Sequence, residues 1–599
     1  MIKHITLLAI AVLAALLTVL IFTLPVPDKA DVDKADVNGG VALLIDNVRV
    51  VQNGELSAPQ SILLQDGVIA DIGPDIESDA KRIDGSGLTA IAGLIDAHTH
   101  SYGSALEDAL RFGVTTNIDM FTDISLLGDA KGSRESGAQT DKTDLFSAGM
   151  MATAPGGHGT QYGIAIETLT QPAQADAWIA KRKAEGSDFI KMVYMPDQTH
   201  IPSIDLPTAK ALITAAHKQG LMALAHISTQ EAARDLMLAG IDGLVHIFAD
   251  QPVTSEVIKL AKDGDVFIIP TLSVIASVDG RQDAAALASQ QDIASRLSPM
   301  QSQTLTLSFS GGAPDFNYDI ASENVRKFHQ AGVRILAGSD APNPGTAHGV
   351  SLHQELQHLV ESGLSPREAL FAGSALTATV FSMPRRGDIK IGNKGDILLV
   401  RGNPLEDIGA ALAIEVVLKN GHRVDRSAAK AKASEALSNS DLGDFETSLS
   451  AQMFKWSETS DAMANGNSAA SIMRAEGGPR DSAHVLKAVG RISSGFPYPW
   501  AGAALSASSQ RESYDISSFE TVNFDMKGTP GTYRLMVFAA GNMGIPPSQE
   551  FRITNSWERV SLKIDEFKGF DAKAFAGLAV VAGTQGPFEF ELDNVSFEP

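Results

Sequence analysis

Short apolar runs alternate with amphipathic stretches from Gly93 to about Met383. GVTTNIDM, DFIKMVYM, LMALAHI, GLVHI, VFIIPTL and VRILAGSD read as strands, while LPTAKALITAAHKQG and TQEAARDLMLAG between them read as helices. Strand and helix in alternation over this length predict an α/β fold with a parallel sheet, and about eight units fit a closed barrel better than an open sheet. On both sides of this region the period changes. VALLIDNVRVV, SILLQDGVIADIG and KRIDGSG precede it, and RRGDIKIGNKGDILLV and AIEVVLKNGHRV follow it. These are β-branched runs punctuated by Asn-Gly, Asp-Gly and Gly, the pattern of hairpins. The simplest arrangement is one composite β-sandwich from residues 41–92 and 384–425, flanking a barrel over 93–383.

The two ends of the chain differ from this middle. Ile5 to Leu24 are 20 uncharged, mostly aliphatic positions, enough as a helix to span about 30 Å of hydrocarbon. Residues 1–26 are therefore expected to be a transmembrane anchor, with a cleaved secretory signal as the alternative. Lys3 before the span and acidic residues after it place the bulk of the chain on the extracytoplasmic, periplasmic side, whether anchored or released. Residues 27–40 and the Ala/Ser-rich 426–444 read as linkers. From Phe445 to Pro599 the composition is aromatic, Gly-rich and strand-like, which predicts a separate all-β sandwich.

Composition narrows the function classes. A chain of 599 residues exceeds a single core, so several domains are expected. The net charge of -23 opposes nucleic acid phosphates, and no Lys/Arg cluster offsets it. The absence of cysteine excludes disulfides, thiolate metal sites and cysteine nucleophiles.

The candidate chemistry lies at the ends of the predicted strands. In IAGLIDAHTH, His98 and His100 are one residue apart, so an extended backbone puts both on one face, and at the C-terminal end of a barrel strand that face is the mouth. Two more apolar runs end in histidine, at His226 and His246, and a late one ends in Asp340. Any one of these alone would read as a hydrogen-bonded core residue. Together, four imidazoles and a carboxylate suit a first-row divalent metal, zinc above all. Lys191 lies near the end of another apolar run, between the His pair and His226; by spacing alone it is an ordinary barrel lysine. A neutral lysine, however, can take up carbon dioxide as an anionic carbamate with two ligand oxygens, and nearby cations favour the deprotonated amine.

GLIDAHTH, DFIK, the two strand-end histidines and GSD, followed by SPREALFAGSALTATVF, GDIKIGNKGDILLVRGNPLEDI and EVVLKNGHRV, resemble the metal-dependent amidohydrolase superfamily. The likeness covers about residues 41–425 and is nearest to the imidazolonepropionase-like and prolidase-like dipeptidase branch. It implies a (β/α)8 TIM barrel with a composite β-sandwich. It also implies two divalent ions, zinc by expectation: one held by His98, His100 and Asp340, the other by His226 and His246, with N6-carboxylated Lys191 bridging. The implied reaction is attack of a metal-bridging hydroxide on an amide or peptide carbonyl of a small-molecule or peptide substrate, Asp340 carrying the proton. PGGHGT resembles a substrate-contacting loop, making His158 a candidate, and Tyr194 matches a tyrosine that assists at the carbonyl. Two departures stand out: Ala-Pro precedes the His158 loop, and the barrel shows no arginine clamp for a free carboxylate. The deaminase branch carries a glutamate three residues after its third histidine, where this chain has Thr229. Alternatives are a cyclic amide, lactone or phosphoester hydrolase with the same centre, or a binding and assembly protein acting through its C-terminal part.

That C-terminal part, through DFETSLSAQMFKWSETSDAMANGNSAASIM, GFPYPWAGAAL, FETVNFDMKGTPGTYRLMVF, SWERVSLKIDEF and FEFELDNVSFE, resembles complex-I intermediate-associated and galactose-binding-like jelly rolls. The resemblance implies a glycan or protein ligand. Trp456, Trp500 and Tyr498 are candidates for stacking on it, although core packing is the commoner fate of such residues. Glu446 and Asp593 are candidates for a structural calcium.

Overall fold

The computed structural model describes residues 42–160, 166–197, 201–309, 317–428, 434–451, 454–461, 467–480, 482–494, 498–507, 513–540 and 546–599. The apolar run Ile5–Leu24 and the 27–40 linker lie outside the described residues. Among the described residues no helix is long and apolar enough to cross a membrane.

The barrel is built from strands Leu94–Thr99, Val114–Asp119 and Asp144–Ser147, then Ile190–Val193, Ala223–His226, Gly243–Val245 and Phe267–Ile269, all pairing in parallel within their two groups. Parallel bridges complete the ring: Ala152 with Met192, Ile268 with Ile335, and Thr99 with Ala341. The closing seam is a ladder in which Ala97 N–H donates to Ala337 O (2.9 Å), Asp340 N–H to His98 O (2.8 Å) and His100 N–H to Ala341 O (2.8 Å). Alternation sorts the side chains. Ile95, Ala97, Ile118, Leu224, Val245 and Leu336 fill the interior, whereas Ile190 and Met192 pack outward with Leu212 and Ile213 of helix Leu206–Lys218. Two of the outer helices start where the sequence supplies a side-chain cap: Asp205 accepts from Thr208 N (2.9 Å) and Thr229 from Ala232 N (3.3 Å). Thr229, at the position where a deaminase would carry its glutamate, thus opens helix Gln230–Leu238.

Both flanks of the barrel meet in one nine-stranded sheet, in which Leu88–Ala92 runs antiparallel to Ile397–Arg401 with Ala90 opposite Leu399. Its hairpins turn where Asp66-Gly67 and Asn420-Gly421 adopt positive φ at both positions (51° and 79°, 49° and 77°), the backbone that a two-residue turn between twisted strands requires. The sheet is joined to the barrel by a buried ion network. Asp144, on a barrel strand, receives Arg386 at 2.6 Å, Lys394 at 2.7 Å and Lys419 at 3.1 Å, and Lys419 also meets Asp396 at 2.8 Å.

The C-terminal region consists of two largely antiparallel sheets sharing one apolar cluster. Trp456, Leu505 and Val580 come from one sheet, and Leu486, Phe524 and Phe590 from the other. One sequence expectation is corrected here. The stretch read as a linker over 426–444 contributes strands: Glu435–Ala436 pairs with Tyr514–Asp515, and Asp441–Gly443 with Gly586–Glu598. Leu437 and Leu442 enter the core, two apolar anchors masked in sequence by their Ser/Asn surroundings. Trp456 takes the commoner fate of such residues and is buried, its Nε1–H donating to Leu442 O at 2.8 Å. Trp500 is half-buried with Nε1 3.4 Å from Thr459 Oγ1, and Tyr498 is 61% exposed. Glu446 accepts from Ser482 Oγ (2.8 Å) and Ala483 N (2.9 Å), while Asp593 accepts from Asn594 N (2.8 Å).

Candidate metal centre and active site

Five of the expected side chains converge at the barrel mouth. Asp340 is central, with Oδ1 3.2 Å from His98 Nε2 and 3.1 Å from His100 Nε2, and Oδ2 3.9 Å from His246 Nδ1. The His98 and His246 rings lie 5.0 Å apart, and His246 and His226 4.4 Å. His98, His246 and Asp340 bring three potential ligand atoms within 4.8 Å of one another. His98 is fully buried, yet among the described residues neither of its ring nitrogens makes a hydrogen bond of good geometry, and nor does Asp340 Oδ1 despite its short distances to His98 and His100. Buried polar atoms left this way are costly unless something else occupies them. A divalent cation fits that donor set: neutral nitrogens and an anionic oxygen converging from separate strands.

Electrostatics supports the fit. Burial, reinforced by neighbouring cationic groups, holds His98 and His226 well below the ordinary imidazole range, and burial takes His246 down to about 3. These rings are neutral at physiological pH and offer lone pairs. Burial pushes His100 down as well, but its contact with Asp340 and the charges of Asp340 and Asp119 bring it above its ordinary value. Burial pushes Asp340 up, but His100, His246 and Lys191 outweigh it and keep the carboxyl ionised. Lys191 is 3% exposed, and its burial lowers the amine to about 7, so a large fraction is neutral and nucleophilic.

Several positioning groups were not legible in the sequence. Asp96 accepts from His98 N (3.1 Å), Ser339 N (2.9 Å) and Ser339 Oγ (2.6 Å), tying the ends of two ligand-bearing segments across the barrel seam. Thr271 Oγ1 lies 2.7 Å from His246 Nδ1 and donates its own proton to Pro270 O at 2.8 Å. The hydroxyl must therefore accept from Nδ1–H, which leaves the Nε2 lone pair of His246 free for a metal. Glu355 fixes this arrangement from behind, accepting from Leu272 N (2.9 Å), Ser273 N (2.8 Å) and Ser273 Oγ (2.9 Å), at the start of helix Leu272–Val278. His246, Thr271 and Asp340 all hold positive φ (69°, 54° and 54°), conformations that are costly for such residues. Thr271→Val removes the acceptor at nearly constant volume. Its expected effect is about 10–100-fold weaker metal affinity in a competitive chelator titration, and unchanged affinity would dismiss the tautomer argument.

The cavity above these residues measures about 800 Å³. His158 lines it, its ring 5.1 Å from that of His226, and burial lowers the imidazole to about 4. Tyr194 is a correction. Lys191 and Val193 line the cavity, so the next residue along the strand falls on the opposite face. There Tyr194 is buried among the outer helices and its hydroxyl donates to Asp235 Oδ2 at 3.0 Å.

Fold and site together define a barrel enzyme with a candidate His/Asp metal centre at the C-terminal ends of its strands. The sequence profile of the amidohydrolase family matches residues 89–424, more than half of the chain, so the protein belongs to that family and is a hydrolase acting on carbon–nitrogen bonds. Its substrates belong to the small-molecule or peptide range of that family. An uncharacterized protein of Mycobacterium tuberculosis is 26% identical over 300 residues, 47% of this chain and 71% of that one. The ochratoxinase of Aspergillus niger is 24% identical over 320 residues, 51% of this chain and 59% of its own length. Among solved structures, a putative prolidase from Bifidobacterium longum superposes with a TM-score of 0.53 at 24% identity, covering 66% of this chain and 97% of that one. A Xaa-Pro dipeptidase with bound methionine in its active site gives 0.52 at 21% identity, covering 64% and 100%. At these identities the structural likenesses establish the fold.

Proposed function

We infer that the protein hydrolyses an amide or peptide bond, with a dipeptidase- or prolidase-like scissile geometry, at a centre of two divalent ions, zinc by preference. The observation that carries this reading is the convergence of His98, His100, His226, His246, Asp340 and a low-pKa Lys191 at one mouth. His98, His100 and Asp340 would hold one ion and His226 and His246 the other. Addition of carbon dioxide to the neutral Lys191 amine, with loss of one proton, gives a carbamate whose two oxygens suit a bridging place. When bound, such ions supply Lewis acidity for a carbonyl and bring the pKa of a water toward about 7.

The chain's own groups do the rest. Asp340, ionised and next to the reacting space, takes the proton of the attacking water and returns it to the leaving nitrogen. His158 contacts the substrate from the cavity wall. The neutral state of His98, His226 and His246 keeps them as lone-pair donors and not competing acids. Likenesses in name to a prolidase and to an ochratoxinase support an amide as the bond cut. The two-sheet C-terminal region with its single apolar core supports a jelly-roll module for a glycan or protein ligand. The apolar Ile5–Leu24 run supports anchorage facing the periplasm.

The deciding experiment is metal content after purification with zinc and bicarbonate, beside Lys191→Ala. About two ions per wild-type chain and a marked loss in the variant are expected; no stoichiometric metal in the wild type would overturn the reading.

A further inference from the structure

Beyond its candidate metal ligands the cavity is lined mainly by apolar side chains, with Ser101, Thr122, Ser125, Ser228 and Asn343 set between them. Phe121, Leu126, Met151, Ile275, Val278 and Phe309 line it, and Tyr102, 49% exposed, stands among the lining residues as an aromatic partly open to solvent. Its charged lining outside the centre is Glu107, Asp123 and Lys142. The one ammonium is already engaged, with Lys142 Nζ 3.2 Å from Glu107. In this outer part of the cavity, two carboxylates against one ammonium oppose an incoming anion. Among the described residues no arginine lines the cavity, and the sequences of 161–165, 198–200 and 310–316 contain neither Arg nor Lys. Away from the metal centre, a carboxylate entering the outer part of the cavity would lose its hydration and meet only an ammonium already paired with Glu107. An apolar group gains on the same transfer. The volume of about 800 Å³ accommodates a molecule with two ring-sized substituents, well beyond a small dipeptide.

The geometry points to an uncharged substrate: an amide flanked on both sides by apolar groups, at least one of aromatic size, and without a free carboxylate next to the scissile bond. This rests on the hydrolase reading above and sharpens it, because zwitterionic dipeptides then become poor substrates. Specificity comes from the apolar wall, and Phe309 is its test residue.

The test uses the zinc-loaded full chain and a matched pair, N-benzoylphenylalanine and N-benzoylphenylalaninamide, with benzoate release followed by chromatography. The neutral amide is expected to show at least about tenfold higher kcat/KM than the acid. Phe309→Ala is expected to lower the preference for benzoyl over acetyl in the amide series by about tenfold. Equal or faster cleavage of the free acid, or an unchanged benzoyl-to-acetyl ratio, would overturn the substrate assignment and leave the hydrolase reading standing. Failure of the metal-loaded protein to release benzoate or acetate from any of these amides would overturn both.

Discussion

Asp340→Asn is expected to yield a folded, metal-loaded protein whose kcat falls by about 10²–10⁴-fold, the range for loss of a positioned proton carrier. The substitution is nearly isosteric, and asparagine tolerates the left-handed backbone that Asp340 adopts at φ 54°. The seam hydrogen bond from Asp340 N–H to His98 O is a main-chain contact and survives. An amide oxygen can still face a cation, while the charge and the proton-accepting oxygen are gone. Metal analysis and kcat measured on one preparation separate the two roles. An unchanged kcat would remove Asp340 from proton transfer, and loss of metal together with activity would make it a ligand first.

The largest stability effect is expected at Asp144, away from the mouth. Burial opposes its ionisation, but Lys419, Arg386 and Lys394 outweigh that and hold the carboxyl at about 2. Asp144→Ala leaves these cations in a dry place, with Lys419 still on Asp396 and Arg386 on the carbonyls of Pro384 and Arg134. Removing one partner of a buried ion pair costs about 3–5 kcal/mol, which a lowered denaturant midpoint would report. The pH dependence follows from the direction of the shift. A depressed carboxyl stabilises fully above its ordinary value near 3.8 and loses that contribution as pH falls through about 2. The gap between wild type and variant should therefore be constant near neutrality and narrow only in strong acid; a gap that closes near pH 6 would assign the effect to another group.

Much of this molecule is legible in its sequence because side chains alternate along most of each strand, although the alternation slips where Ala97 and His98, and Val245 and His246, are neighbours that both turn inward. His98 and His100 face one way because they are two apart, and His226, His246 and Asp340 each stand where an apolar run stops. The same rule exposes the error at Tyr194. An offset of three from Lys191 is odd, so in a strand the two point to opposite faces, and the resemblance outweighed a geometry that was already readable. Strand Asp144–Ser147 gave little signal, since DLFS has only two apolar residues and its first is an acid reserved for three distant cations. Thr271 and Glu355 could not be found in advance. Their roles depend on a helix start brought beside His246 by tertiary packing, with 83 positions between Leu272 and Glu355. Asp96 was quoted within GLIDAHTH but its work is done across the seam, on Ser339.

The seam also orders events in time. Leu88–Ala92 finds its partner only at Ile397–Arg401, and His98 meets Asp340 only when the last barrel segment arrives. During synthesis from the N-terminus, the first two histidines leave the ribosome long before the carboxylate that completes their site. Contacts of such long sequence separation form late and slowly. The nascent chain must therefore pass through a stage in which imidazoles are present without a centre, and cation capture belongs to the end of folding, after the ring has shut.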